Sequence, residues 1–403
     1  MATRVADPVR LGIIGFGVRG TEIAKTLIPG TAARIVAVAD LYSGRRARAT
    51  ELLGAGTFAT ADYRHVLSRR DVDAVVIATP DHSHLAIALD ALQAGKDVYC
   101  EAPVIHVAQD AKALQPATKN RIFQVGSAIA SAAPYARARE VIASGKLGRV
   151  TMVRATWDTV SALDAWQRPF PPDASPDTID FTGFLGATAK RPFDLHRFFR
   201  WPCYWDYGSG LAGARVVPLL TAIQLTLGSK APARATLSGG TWRWKDGREV
   251  PDTLIGSFDY DEGFTASLSA TQNGGGGRAV QFVGTDASLL VTDTSMTVRA
   301  ASQTEPYMTL GETWPKEYRD WFYMMHGLSP QGAPRREFPA PAGDEAVHVA
   351  QDSSGLATHL ADFVRSVQTR EEPKESLSIG LQAAEAAATA TTALRQRARL
   401  VRR

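Results

Sequence analysis

Two cysteines in 403 residues, Cys100 and Cys203, are too few for a disulfide framework, and neither stands in a C-x-x-C or Cys/His metal spacing. A reducing compartment and no bound metal are therefore expected. No run reaches the ~18 apolar residues that a membrane span requires. The first strand-like run begins at Val9, too early to leave room for a leader, so the chain is read as cytoplasmic and free of membrane. Charge of one sign is scarce as well. Against 45 Lys plus Arg stand 41 Asp plus Glu, a net +4 without a basic face for tracking phosphates, which excludes nucleic acid as a partner. What remains is an ordinary globular composition, 45% hydrophobic and 21% charged, long enough for two domains.

From Val9 to Gly126 short β-branched runs alternate with helical stretches, the grammar of a parallel sheet. Strands are expected at 10–14, 35–39, 74–78, 97–100 and 122–125, and helices at 21–28 and 84–94, the second ended by Gly95. Such units make a doubly wound α/β domain. Past Gly126 strand-like alternation recurs at 150–157, 235–244, 254–260 and 265–271, which suggests a mostly antiparallel sheet. A loop region rich in Pro, Asp and aromatics spans 161–207, ahead of a helical stretch from Gly213 to Leu227; loops of that length tend to be functional. Residues 301–352 read as irregular, and an Ala-rich helix occupies 377–399.

Gly15-Phe16-Gly17-Val18-Arg19-Gly20 is a complete G-x-G-x-x-G set directly after a strand and before a helix. The first glycine permits a tight turn, the second lets backbone approach a pyrophosphate, and the third lets helix and strand pack, with phosphate charge on the helix N-terminus. Asp40 ends the second strand, where a carboxylate accepts from both ribose hydroxyls and repels a 2′-phosphate, so NAD(H) is expected. Arg45 and Arg46 offer a phosphate clamp and keep NADP(H) open. A glycine-rich turn without a ligand is the remaining alternative.

Thr79-Pro80-Asp81-His82-Ser83-His84, the A-G-K-D-V-Y-C-E-A-P run from Ala94 to Pro103, and Ser144-Gly145-Lys146-Leu147-Gly148 resemble the glucose-fructose oxidoreductase and inositol dehydrogenase (Gfo/Idh/MocA) family. Trp157-Asp158, Ala165-Trp166-Gln167, Phe184-Leu185-Gly186, Arg191-Pro192-Phe193 and the Y-W-D-Y-G-S-G run from Tyr204 to Gly210 are similar to the second domain of a bacterial branch of it. The resemblance implies α/β architecture: an N-terminal Rossmann domain over 1–126 and a C-terminal α+β domain over 127–375, whose large open sheet binds substrate and mediates a dimer or tetramer. A helix within 376–403 packs back on the body. It also implies a nicotinamide cofactor in the cleft and hydride exchange with a small-molecule substrate. Cofactor contacts are implied at Gly15, Gly17, Gly20, Asp40, Thr79, Pro80, His84 and Glu101; the glycine-rich motif itself adds Phe16, Val18 and Arg19 as candidates, and a place at a strand's carboxyl end adds His82. The family's catalytic positions depart from type: its lysine falls on Ala102, and its D-x-x-x-H carboxylate and imidazole fall on Ala214 and Pro218. Ala128, Ile129 and Ala130 replace further polar residues.

An apolar site of this kind lacks the positioned acid and base that contribute ~10²–10⁴-fold to alcohol oxidation. Asp158, Tyr207 and Arg215 are the candidates for a surviving proton relay. Trp157, Trp166, Phe170, Phe181, Phe184 and Tyr204 are expected to rim a pocket for a hydrophobic or activated acceptor, such as an imine or enone. Three functions stay open: an NAD(H)-dependent oxidoreductase with altered acid-base groups, a non-redox lyase, cyclase or isomerase, and a pseudoenzyme that binds or scaffolds.

Overall fold

The β-branched runs of the first third pair in parallel. The computed structural model describes residues 7–29, 32–300, 313–325, 345–348 and 354–401. In it β1 (Val9–Ile14), β2 (Ala33–Ala39), β3 (Phe58–Thr60), β4 (Ala74–Ile77), β5 (Asp97–Glu101) and β6 (Phe123–Gly126) form one sheet in the order β3-β2-β1-β4-β5-β6. Every ladder in it is parallel. This is a Rossmann sheet, whose order reverses between β1 and β4 and opens a crevice beyond their carboxyl ends. One of the helices that cover it comes from far along the chain. Leu356, Leu360, Phe363 and Val364, at helical spacing on Leu356–Thr369, share a core with Val9, Leu11 and Ile13 of β1 and Ile23 of the helix Val18–Leu27.

The later strands build a second, mixed sheet: β7 (Val150–Asp158), β8 (Arg234–Gly240), β9 (Thr253–Tyr260), β10 (Phe264–Thr271), β11 (Gly277–Gly284), β12 (Ala287–Thr292), β13 (Ser295–Ala300) and β14 (Glu345–His348). Their order is β14-β13-β12-β11-β7-β10-β9-β8. Only the β7–β10 ladder is parallel, so the sheet is mostly antiparallel as expected. Burial alternates along β9 and β10, leaving one face on the core and one outward, where Ile255 and Leu290 stand exposed. On the inner side lie the almost wholly buried helix Val217–Leu227 and the long helix Leu377–Val401, which also contacts β8.

Three local expectations are corrected. The helical stretch expected from Gly213 is α-helical only from Val217, after a π-helical turn over Ala212–Val216. Pro218 is the reason: it has no N–H to donate and is accommodated only in the first turn of a new helix. The loop region contains the short helices Phe181–Leu185 and Leu195–Phe199, capped by the Asp180 and Asp194 carboxylates. Within the stretch read as irregular, Lys316–Met325 is a helix and β14 a strand; residues 301–312, 326–344 and 349–352 lie outside the described residues. Among the described residues no helix is long and apolar enough to cross a membrane.

Candidate active site in the interdomain cleft

The glycine turn is tight where the sequence requires it. Gly15 has φ +91°, and a Cβ there would lie 2.6 Å from the Ala78 carbonyl oxygen; one on Gly20 would lie 2.0 Å from the Gly15 carbonyl oxygen. At Gly17 a Cβ would meet nothing nearer than the Arg45 guanidinium, at 3.6 Å. This is a cradle for phosphate at the start of a helix. Asp40 is buried and accepts from the Phe16 amide at 2.7 Å and the Tyr42 amide at 2.9 Å, one on each carboxylate oxygen. Each oxygen keeps lone-pair capacity for a hydroxyl donor. The turn and Asp40 therefore fit a dinucleotide. Arg46, the other half of the expected clamp, donates instead to the Asp40 backbone carbonyl at 2.7 Å. Phe16 is buried in the core, and its contribution to the turn is its backbone N–H.

Just past Asp40 the second domain docks. Tyr42 bridges to Ile179, Ser43 donates to the Thr178 carbonyl at 2.9 Å, Asp180 to the Leu41 carbonyl at 3.1 Å, and the Tyr42 hydroxyl to Asp173. Apolar residues on both sides consolidate this strap in one small core. It also absorbs part of the expected aromatic rim. Phe181, Phe184 and Tyr207 are buried in that cluster, with Phe170 and Tyr204 packed against it, so none of the five lines the cleft. Tyr207 is accordingly displaced as a proton-relay candidate. His82 is displaced from the expected cofactor contacts as well: its Nε2 donates to the Phe184 carbonyl at 2.8 Å, pinning the strap.

The cleft holds a cavity of about 610 Å³. Arg19, Thr79, His84 and Glu101 line it from the Rossmann side, and Trp157, Asp158, Trp166 and Trp201 from the other. Glu101 accepts from Arg19 at 2.9 Å and from the Tyr99 hydroxyl at 3.0 Å. His84 is buried with both ring nitrogens 2.8 Å from carbonyl oxygens, those of Pro103 and Thr79. A neutral imidazole has only one N–H, so this geometry calls for the imidazolium. Burial opposes that charge, yet Cys100, Asp81 and the Pro103 carbonyl outweigh it and raise the imidazole to about 10. Asp158 ends the central strand β7 and is the relay candidate that reaches the cavity. Its Oδ1 is buried with no hydrogen-bond partner among the described residues, and burial raises its carboxyl above the ordinary range while Arg215 pulls the other way. Arg215 itself lies behind the wall, buried, donating to the Trp157 and Thr271 carbonyls and the Thr159 hydroxyl at 2.7–3.0 Å.

Residues 9–127 match a family model described as oxidoreductase family, NAD-binding Rossmann fold, named for Gfo, Idh and MocA. These residues belong to the Gfo/Idh/MocA family. Inositol 2-dehydrogenase 1 of Saccharopolyspora erythraea is 32% identical over 167 residues, 40% of this chain and 50% of that enzyme. Levoglucosan dehydrogenase of Pseudarthrobacter phenanthrenivorans is 27% identical over 231 residues, 54% of each chain. The chain thus spans about half the length of the curated relatives it matches. A structure of levoglucosan dehydrogenase in complex with NADH and L-sorbose superposes on 96% of this chain and 97% of its own, with a TM-score of 0.66 at 21% identity, which shows a shared fold.

The three positions that the Gfo/Idh/MocA resemblance assigns to catalysis do converge: Ala102, Ala214 and Pro218 all stand on the cavity wall, beside Ala128 and Ile129. Sequence reasoning missed Trp201 and Arg168 on the same wall, since both arrive through the long loop, where no period or spacing marks them.

Behind the Gfo/Idh/MocA sheet, fully buried His359 donates from Nε2 to the Val125 carbonyl at 2.8 Å and pairs through Nδ1 with the Ser131 hydroxyl at 2.9 Å. Glu375 lies 3.9 Å away, but burial holds it neutral, so the two are not an ion pair. Burial also lowers His359 to about 4. The unfolded chain therefore binds a proton that the folded one refuses, so the stabilisation is intact above pH ~6.5 and is lost as the pH falls towards 4, by roughly 3 kcal/mol. Denaturant melts across that window are expected to show this loss, and H359N is expected to flatten it; an unchanged slope would assign the acid sensitivity elsewhere.

Proposed function

We propose that this protein is an NAD(H)-dependent oxidoreductase whose substrate is a hydrophobic or aromatic acceptor that is already activated, such as an imine or enone, in place of a polyol. A single observation carries the reading: in the cleft beside the dinucleotide cradle, the cavity wall presents Ala102, Ala214 and Pro218 where sugar chemistry needs lysine, aspartate and histidine. The nicotinamide, when bound, supplies or accepts a hydride. Asp40 receives ribose hydroxyls, the glycine turn receives phosphate, and Trp157, Trp166 and Trp201 exclude water around an apolar substrate. Asp158 holds the proton that accompanies hydride transfer. Its burial keeps the neutral acid populated further into the working pH range than an exposed aspartate would. The outward sheet face bearing Ile255 and Leu290 fits a second copy of the chain.

The test is a fluorescence titration of the purified protein with NADH and NADPH. Micromolar NADH affinity, tighter than for NADPH, is expected, and D40S is expected to narrow that gap by about tenfold, the scale of one charge-assisted hydrogen bond. Binding of neither nucleotide would overturn the reading. The same apolar wall favours a second one, a non-redox enzyme or a binding subunit on this scaffold, which predicts cofactor binding without net cofactor turnover over a panel of carbonyl, imine and enone acceptors.

A further inference from the structure

The second domain carries a cavity of its own, at the end of the edge strand β8. About 950 Å³ in volume, it is walled by the turn at 239–251, by Trp205 and Asp206, and by Leu394 and Arg395 of the helix Leu377–Val401. No residue lines both this cavity and the interdomain cleft. Three tryptophans stand on its wall, Trp205, Trp242 and Trp244. Among the described residues its charged groups are four cations, Arg191, Lys245, Arg248 and Arg395, against the carboxylates of Asp206 and Glu249. The excess favours an anion.

The turn is fixed by its own chain. Asp252, fully buried, accepts from three consecutive backbone amides, those of Trp242, Arg243 and Trp244, at 2.8–3.1 Å. Lys245 Nζ donates to the Thr241 carbonyl at 2.6 Å within the same turn. The Trp242 ring lies so close to the strand that a Cβ on Gly240 would stand 2.6 Å from its Cζ2. Yet Trp242 is 69% exposed. An indole held in place and left in water adds little to the core of its own chain, and it offers a ring a stacking face whose ordering cost is already met.

Arg395 supplies the free charge. Its guanidinium lies 4.9 Å from the centroid of the Trp205 ring, and among the described residues it has no carboxylate or carbonyl partner. The other cations on the wall are engaged: Arg191 with Asp206 at 2.7 Å, Arg248 with Asp246 at 2.8 Å, and Lys245 with the Thr241 carbonyl. A guanidinium stacked on an indole keeps its planar N–H fork for a carboxylate.

We propose that this cavity is a second ligand site, for a small acid built of a ring and a carboxylate, with the carboxylate on Arg395 and the ring on Trp242. The proposal stands apart from the dinucleotide reading. A sugar acid brings the C–H face of its ring and an aromatic acid a π face, and both stack on indole. What they share is the ring-borne carboxylate, and the experiment tells the two sources apart.

The full-length protein is titrated by calorimetry with glucuronate and indole-3-acetate, and with their uncharged counterparts glucose and indole-3-acetamide. Saturable heat is expected with at least one acid, its uncharged counterpart binding about tenfold more weakly or less, the scale of a charge-assisted hydrogen bond. R395A is expected to weaken that acid by about 10- to 100-fold, and R395K to recover part of the loss, since it restores charge without the fork. W242A is expected to weaken the acid by about tenfold through the lost stacking face. Absence of saturable heat with both acids overturns the proposal. So does an affinity that R395A and W242A leave untouched, which would put the acid in another cavity. Sedimentation of wild type and W242A is the last arm: a dimer that W242A dissociates would make this face a contact between copies of the chain and overturns the ligand site. Should W242A fail to fold, R395A and R395K decide alone.

Discussion

Gly20→Ala is expected to remove NADH binding, with at least a 100-fold loss in a fluorescence titration. The added methyl carbon would stand 2.0 Å from the Gly15 carbonyl oxygen, well inside contact distance. That oxygen belongs to backbone at the tip of the turn, not to the far end of a pliable side chain. Gly15 has little room to retreat, since it sits at φ +91° in a turn so tight that a Cβ on it would lie 2.6 Å from the Ala78 carbonyl oxygen, just past β4. The clash must open the angle between β1 and the helix Val18–Leu27, which moves the amides that would receive phosphate. A 1 Å displacement in such a cradle costs most of its pre-organisation. A melt run in parallel is expected to show a drop of a few kcal/mol without loss of the fold, the usual scale for a core overpacking change. If G20A bound NADH like the wild type, the turn would not be the phosphate site.

Asp158→Asn is expected to lower acceptor turnover by roughly 100- to 10,000-fold, the range that positioned acid-base groups contribute. The side chain retains its size and loses its titration. Because burial raises the Asp158 carboxyl in the folded protein, its stabilising contribution is complete at low pH and is lost as the pH rises through the folded value. A neutral amide therefore leaves stability intact or improves it at neutral pH, and a loss of rate reads as chemistry. The direction of the pH profile is a second check. Acceptor reduction draws on the protonated acid, so the wild-type rate is expected to fall as the pH rises past the Asp158 titration, whereas D158N is expected to be flat. Equal rates in the two proteins would remove Asp158 from the reaction.

What was legible in the chain was what local chemistry determines. The glycine turn, Asp40 and the parallel strands of the first sheet are specified by residues within a few positions of each other, and each stands where the pattern places it. Ala102, Ala214 and Pro218 converge because the end of β5, the π-helical turn and the first turn of the helix after it bring them to one wall, which the resemblance implied. The loop from 161 to 207 was not legible in the same way. Its aromatics read as a pocket rim, yet Phe181 and Phe184 close a small core with Tyr42, some 140 residues earlier, a pairing that no period encodes. Trp166 and Arg168 reach the cavity through a left-handed backbone angle imposed by Arg248, Gln272 and Arg200, partners distant in sequence. The start of the helix at Val217 rests on Pro218, which changes the chemistry of the wall and constrains the backbone at once.

The helix Leu356–Thr369 lies on the face of the first sheet, sharing a core with β1 and the helix that follows it. During synthesis, then, the strands that open the chain leave the ribosome with that face uncovered. Their cover emerges some 340 residues after β1, roughly 20–70 s at ~5–20 residues per second. The usual order, in which an N-terminal domain folds before the next is made, is closed to this protein: its first domain is among the last parts to be finished. Until then Val9, Leu11 and Ile13 stay open to chaperones or to the nascent chain on a neighbouring ribosome, and a fragment that stops at Gly126 inherits that exposure permanently.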